Sequence, residues 1–161
     1  MSSSLAKMKL AIELDDGIGT VVLELFPEEK PQTVQHVKSL AESKIWDGTK
    51  FYRSDFVVQG GTHGSGRNPP KLAVNETNVG RRISNTRGTA ALAHFDVPDN
   101  GAGEFFISVQ DNPHLDDAYG GYCVFGTIAA GDNNSFATLD AIASAVKSGV
   151  EPTIRSVTVR A

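Results

Sequence analysis

The sequence predicts a mainly β protein, a closed or nearly closed barrel of short strands with two α-helices capping it. Three observations lead there. Short runs with alternating apolar residues recur along the chain, bounded by Gly, Pro, Asn or Asp. Only two segments carry the three- and four-residue apolar spacing of an amphipathic helix. No repeat, low-complexity tract or boundary divides the 161 residues, a length that suits one core.

Taken in order, residues 1–8 read as a short disordered lead and 9–161 as a single domain. Two strands, about 9–15 and 19–25, are joined at Asp15-Asp16-Gly17, a strong hairpin sequence. Val21, Leu23 and Leu25 share one face of the second. Pro27 stops it, and Pro31 opens a helix whose stripe is Val34, Val37, Leu40 and Ala41. His36 falls off that stripe and reads as solvated. Trp46–Thr49 is a turn that launches the run Phe51–Gly61, FYRSDFVVQGG, in which Val57 and Gln59 share a face opposite Phe56 and Val58. Alone, Arg53 in that run reads as a surface arginine. The reading changes if another segment brings an apolar pocket beside it.

The long Gly-, Pro- and Asn-rich stretch after Gly61 reads as a loop, and Ala90–Ala93 as a small-residue run that lets a partner approach the backbone. After a loop at 95–103, Glu104, Phe106 and Ser108 fall on one strand face, with Phe105, Ile107 and Val109 on the other. One phenylalanine ring can then enter the core while its neighbour lines a surface pocket. Residues 111–121 are a polar turn and 122–128 a strand. A second helix, about 136–146, carries the stripe Phe136, Leu139, Ile142 and Val146, and residues 154–159 close the chain as a strand.

Composition excludes several classes. The net charge is −4 and no Lys/Arg block exceeds Arg81-Arg82, so nucleic acid and membrane are not expected as partners. No apolar run approaches the roughly 20 residues of a membrane span. A single cysteine, Cys123, and the lack of a signal-peptide core fit a reducing, cytoplasmic setting. No large apolar stripe is left over for a dimer, so a monomer is expected. The loop has neither a Walker spacing nor a nucleophile elbow around Ser65, so a hydrolase built on Ser65 and His63 has no motif behind it. His114 and Asp116 lack a convergent third ligand, and no metal or other cofactor is expected.

Three segments in one order, FPEEKPQTVQHVKSLAES, FYRSDFVVQGG and GEFFISVQDNPHLD with VFG shortly after, closely resemble the cyclophilin family of peptidyl-prolyl cis/trans isomerases. The likeness covers nearly the whole chain, and YCVFG with the extra residues around 119–121 looks like the bacterial-type branch. The resemblance implies an eight-stranded antiparallel closed β-barrel with a helix over each end and a groove outside it. Residue by residue, it implies Arg53 as the catalytic arginine. Phe56, Val57, Phe106 and Leu115 match the wall around the substrate proline, with Val57 standing where methionine is common. Gln59 matches the glutamine that bonds substrate backbone. Ala93 and His94 match the pair that meets the residue before proline, and Tyr122 a position usually held by histidine. Partners implied are proline-containing peptides and unfolded or flexible protein segments.

Three departures from the family pattern stand out. Two residues between the arginine and the first pocket phenylalanine are missing. Glu104 replaces a glutamine, and because it shares a face with Phe106 it is expected in the groove, paired with Arg53; on that pairing Glu104→Gln raises kcat/KM. His114 replaces the tryptophan or phenylalanine beside the leucine, so cyclosporin binding is expected to be weak. The alternative function is a proline-binding or scaffold module with little or no catalysis.

Overall fold

The computed structural model describes residues 8–94 and 102–160. The expected lead at 1–8, apart from Met8, and most of the expected 95–103 loop lie outside them. Eight strands follow in chain order: β1 (Lys9–Leu14), β2 (Gly19–Leu25), β3 (Lys50–Ser54), β4 (Val57–Gly61), β5 (Thr89–Leu92), β6 (Glu104–Ser108), β7 (Val124–Ile128) and β8 (Ile154–Arg160). The helices are α1 (Pro31–Glu42) and α2 (Asn133–Lys147). The eight strands form one antiparallel sheet ordered β3-β4-β6-β5-β7-β2-β1-β8.

The sheet curls but is open, which corrects the closed barrel expected from the sequence. Its end strands meet only at one corner, through the bridge Lys50↔Thr153 and a few backbone hydrogen bonds such as Phe51 N–H to Pro152 O at 3.0 Å. Pro152 has no N–H to return. Past that corner β8 follows β1, while β3 turns toward α2, where the Ser54 hydroxyl donates to the Ala143 carbonyl at 3.0 Å. No ladder can extend between strands that diverge.

Three strands come from two segments that alternation alone does not resolve. The run Phe51–Gly61 is a hairpin rather than one strand, and Asp55 and Phe56 are its turn. Asp55 closes that turn by donating its N–H to Val57 O at 2.9 Å and accepting Val57 N–H on its carboxylate at 3.2 Å. Ala90–Ala93 contributes β5, whose small residues let β6 and β7 pack on either side. The β1–β2 turn is as expected, with Asp16 and Gly17 at φ 61° and 71°, the pairing of a type I′ hairpin.

The curled sheet encloses the main core. Phe105 points into it and meets Trp46 and Phe51 edge-on at 5.3 and 5.6 Å. Val34, Val37, Leu40 and Ala41 of α1 and Leu139 and Ile142 of α2 are buried against the same core. Phe136 and Val146, expected on the α2 stripe, are only half-buried at its edge. That helix starts earlier than its apolar spacing suggests, because Asp132 caps it and accepts Ser135 N–H at 3.1 Å. His36 is not simply solvated: it is half-buried, and its Nε2–H donates to the Ala102 carbonyl at 2.9 Å.

Candidate active site

The outer face of the sheet carries a second, smaller apolar cluster. Val57, Ala91, Phe106 and Leu115 are its buried members, and Phe56, Ala93 and Tyr122 pack against it. The register explains why these residues meet. Arg53 of β3 lies opposite Gln59 of β4, Gln59 opposite Phe106 of β6, and Phe106 opposite Ala91 of β5, so one row crosses four strands. Val57, two residues from Gln59, shares its face. Phe106 therefore faces out while Phe105 faces in, the division that the paired rings suggested.

Leu115 reaches this face from a 3-10 turn, Pro113–Asp116, that follows β6. The turn is held by Asp116, whose carboxylate accepts the Ser84 hydroxyl at 2.6 Å and the Asn85 backbone N–H at 2.7 Å. Burial pushes the Asp116 carboxyl up, but these hydrogen bonds, helped by Arg82, outweigh it and bring it below the ordinary value. Such a carboxyl contributes stability that is complete above about pH 4, the unfolded value, and is lost as pH falls through the lower folded value. Asp116→Asn cannot accept both donors equally, so it is expected to melt below wild type at pH 6, with the gap shrinking toward pH 3. A gap that does not change with pH would contradict this.

Arg53, Phe56, Val57, Gln59, Ala93, His94, Glu104, Phe106, His114, Leu115 and Tyr122 all border one cleft of about 990 Å³, opened between the apolar cluster, residues 62–71 and the turn after β6. Phe56, lying in the turn of the β3–β4 hairpin, meets His114 edge-on at 5.0 Å. Tyr122 meets Phe106 edge-on at 5.5 Å and stacks on His94 at 4.1 Å. Burial raises the Tyr122 phenol, so it is a neutral wall at ordinary pH. The His94 Nε2–H donates to the Gly121 carbonyl at 2.9 Å, which leaves its ring engaged beside Tyr122. Ala93 donates its N–H to the Glu104 carbonyl at 2.9 Å.

Arg53 places a cation beside Phe56 at the edge of this cup. Its Nε–H donates to Asp55 at 2.9 Å, its Nη1 to Gln59 Oε1 at 3.1 Å, and its guanidinium carbon sits 5.4 Å from the Phe56 ring centre. An arginine has five N–H donors, so three remain without a partner among the described residues. The expected Arg53–Glu104 pair is not formed. Glu104 lies on the Phe106 face, but its carboxylate accepts Tyr52 Oη–H at 2.7 Å, Thr62 Oγ1–H at 2.9 Å and His63 N–H at 3.0 Å. Gly61, at φ 141°, permits this close fit, since a Cβ there would strike the Gly103 carbonyl and Glu104.

A family model, cyclophilin type peptidyl-prolyl cis-trans isomerase/CLD, matches residues 9–161. The chain belongs to the cyclophilin family. It is 32% identical over 127 residues to a peptidyl-prolyl cis-trans isomerase of Acinetobacter baylyi, covering 74% of this chain and 66% of that one. It is 34% identical over 146 residues to the isomerase cyp18 of Streptomyces antibioticus, covering 86% of this chain and 85% of that one. A crystal structure of a Cryptosporidium parvum cyclophilin-type isomerase, determined in the presence of the dipeptide Ala-Pro, aligns with TM-score 0.76. It covers 95% of this chain and 99% of that one at 22% identity, a likeness of fold.

Residues 62–71 and Ala118 and Tyr119 of this cyclophilin also line the cleft without having been marked by the sequence. Tyr52, bonded to the cleft residues Gln59 and Glu104, is a further polar group that the sequence does not mark. Tyr52 precedes Arg53, and strict alternation would send the two side chains to opposite faces. A register shift between Phe51 and Arg53 instead leaves Tyr52 unpaired on the cleft side. Its hydroxyl accepts from Gln59 Nε2 at 3.0 Å and donates to Glu104. The aromatic–arginine pair in FYRS is visible in the sequence, but nothing local marks the bulge.

Proposed function

We propose that this cyclophilin accelerates rotation about X–Pro peptide bonds in flexible protein segments and so assists their folding, with Arg53 as the catalytic residue. The supporting observation is a guanidinium with three uncommitted N–H groups at the rim of the Phe56–Phe106–Leu115 cup. Rotation about a peptide C–N bond faces a barrier of about 18–20 kcal/mol because the nitrogen lone pair is delocalised. Uncatalysed X–Pro exchange takes tens to hundreds of seconds.

At the half-turned geometry the proline nitrogen is pyramidal and its lone pair accepts a hydrogen bond. A guanidinium N–H aimed there favours the twisted state over either planar one, which is the condition for rate enhancement. The cup grips the ring while the carbonyl of the preceding residue swings. Val57 and Phe106 form its floor, Phe56 and Leu115 its walls, and His114 and Tyr122 its edges. Gln59 and the main chain at Ala93 and His94 hold the backbone on the N-terminal side. Displacing Asp55 from Arg53 costs little, because both partners are about half exposed, at 42% and 45%, and such surface pairs contribute about 0–1 kcal/mol.

A rate gain of about 10⁵ corresponds to on the order of 7 kcal/mol of differential stabilisation. The chemistry here is rotation without bond cleavage, so side chains and main chain suffice for it. The reading is of a monomer acting on proline-containing segments in the cytoplasm, with clients chosen by accessibility of the proline. Exchange NMR on an Ala-Pro peptide tests the activity: cis and trans resonances are expected to exchange faster in the presence of the protein. Binding with unaltered exchange would favour a scaffold module instead. His114 presents a smaller ring than tryptophan beside Leu115, so cyclosporin is expected to bind weakly by calorimetric titration.

A further inference from the structure

We propose that Tyr52 and Glu104 are positioning residues that set the polarity of a hydrogen-bond relay ending on the Arg53 guanidinium. This rests on the isomerase reading above. The relay runs Glu104–Tyr52–Gln59–Arg53, with donor–acceptor separations of 2.7, 3.0 and 3.1 Å.

Each step of its direction follows from the step before. The His63 backbone N–H can only donate, so Glu104 must accept at 3.0 Å, and it also accepts Thr62 Oγ1–H on the same oxygen at 2.9 Å. Its other oxygen takes the single proton of Tyr52. The Tyr52 oxygen is left to accept, which turns the Gln59 amide nitrogen toward it. The Gln59 carbonyl oxygen then faces Arg53, which can only donate. An acceptor-only group at one end and a donor-only group at the other leave one consistent arrangement. Burial and the adjacent Glu104 carboxylate push the Tyr52 phenol well above its ordinary value, so the proton stays on the hydroxyl.

A glutamine at position 104 removes that uniqueness. If its oxygen satisfies His63, its amide nitrogen faces Tyr52, whose hydroxyl then either accepts from both amides with no carboxylate oxygen for its proton or turns that proton to Gln59. In the second arrangement Gln59 presents its amide nitrogen to Arg53, donor against donor. Arg53 would sample more orientations, and the geometry that favours the twisted bond would be populated less. The sequence-based expectation that Glu104→Gln raises kcat/KM is therefore reversed: with no Arg53–Glu104 pair to break, the substitution loosens the arginine.

Two variants, Tyr52→Phe and Glu104→Gln, test the relay, each read by its own effect. Each is expected to lower kcat by about tenfold, the equivalent of one lost hydrogen bond of about 1.4 kcal/mol, with KM changed less than about twofold. The double variant should lose no more than the worse single one, since both break one chain. The Gln59 side-chain amide resonances, assigned by their loss in Gln59→Ala, should move in both variants. Unmoved amide resonances, wild-type kcat in both variants, additive losses, or losses carried in KM would each overturn the proposal. If the wild-type protein does not speed X–Pro exchange, the isomerase reading fails separately. The Gln59 resonances still decide the relay in that case: movement in both variants supports it and constancy overturns it.

Discussion

Arg53→Ala is expected to lower kcat/KM for X–Pro isomerisation by about 10²–10³-fold, the range for removing one preorganised donor from a transition state. The loss should lie mainly in kcat. The cup that grips the proline ring is made by Val57, Phe106 and Leu115, each under 10% exposed, and none of them depends on Arg53 for its packing. The arginine itself is held at the surface by one exposed ion pair and one amide, so its removal leaves no buried group unpaired. The folded structure should therefore survive, with melting within about 2 °C of wild type. Arg53→Lys is expected to fall between the two, because an ammonium keeps the charge but loses the planar fork that serves Asp55, Gln59 and substrate together. Exchange NMR measures the rate and a proline-peptide titration the binding. An alanine variant within a few-fold of wild type would remove Arg53 from the reaction and leave the cup as a binding site.

The residues of the cleft were legible in the sequence to different depths for physical reasons. Periodicity places Phe105 and Phe106 on opposite faces, and burial in two separate clusters follows from that alternation. It cannot show that Phe51–Gly61 bends, because the turn is made by Asp55 bonding its own neighbours rather than by an Asn-Gly or Gly-Gly pair. Nor can it show the bulge that brings Tyr52 beside Arg53, which depends on pairing with β4. Glu104 shows the limit most clearly. Alternation gives its face, but a shared groove does not fix its partner. The structure gives it hydroxyls and a backbone N–H instead, since Thr62 and His63 follow the close-packed Gly61 directly. The open sheet has the same origin: local pattern acts within single strands, while closure depends on how β3 and β8 diverge.

Long-range polar contacts are the hardest to foresee, and one of them should dominate stability. Lys30 and Glu76 are each only 1% exposed. The Lys30 ammonium donates to the carbonyls of Glu76 and Thr77, at 2.8 and 3.3 Å, and to that of Val79. All three of its protons are thereby matched. The Glu76 carboxylate accepts the N–H groups of Gln32 and Thr33 at 3.2 and 2.6 Å, and the Thr33 hydroxyl at 2.7 Å. Gln32 and Thr33 lie in the first turn of α1, whose own N-cap, Lys30, supplies no side-chain acceptor. Glu76 therefore does the work of a capping carboxylate from 43 residues away, where it also complements the helix dipole. Lys30→Met, which keeps most of the side chain's length, strands the buried carbonyls of Glu76 and Thr77 and removes the donor to the partly buried one of Val79. Glu76→Ala strands the helix N–H groups. Each is expected to cost about 3 kcal/mol, the lower end for breaking a buried charged contact. For a chain of this size that lowers Tm by about 6–12 °C. The loss should persist in 1 M salt, because the contacts are out of reach of screening, whereas exposed pairs such as Arg81–Glu29 should contribute little at any salt. Limited proteolysis should cut first between residues 72 and 82 in both variants, the segment these contacts tie to α1. Melting within about 2 °C of wild type in both variants would show that the loop is held by its other contacts, among them the Asn75 amide on the Gly121 carbonyl at 2.9 Å.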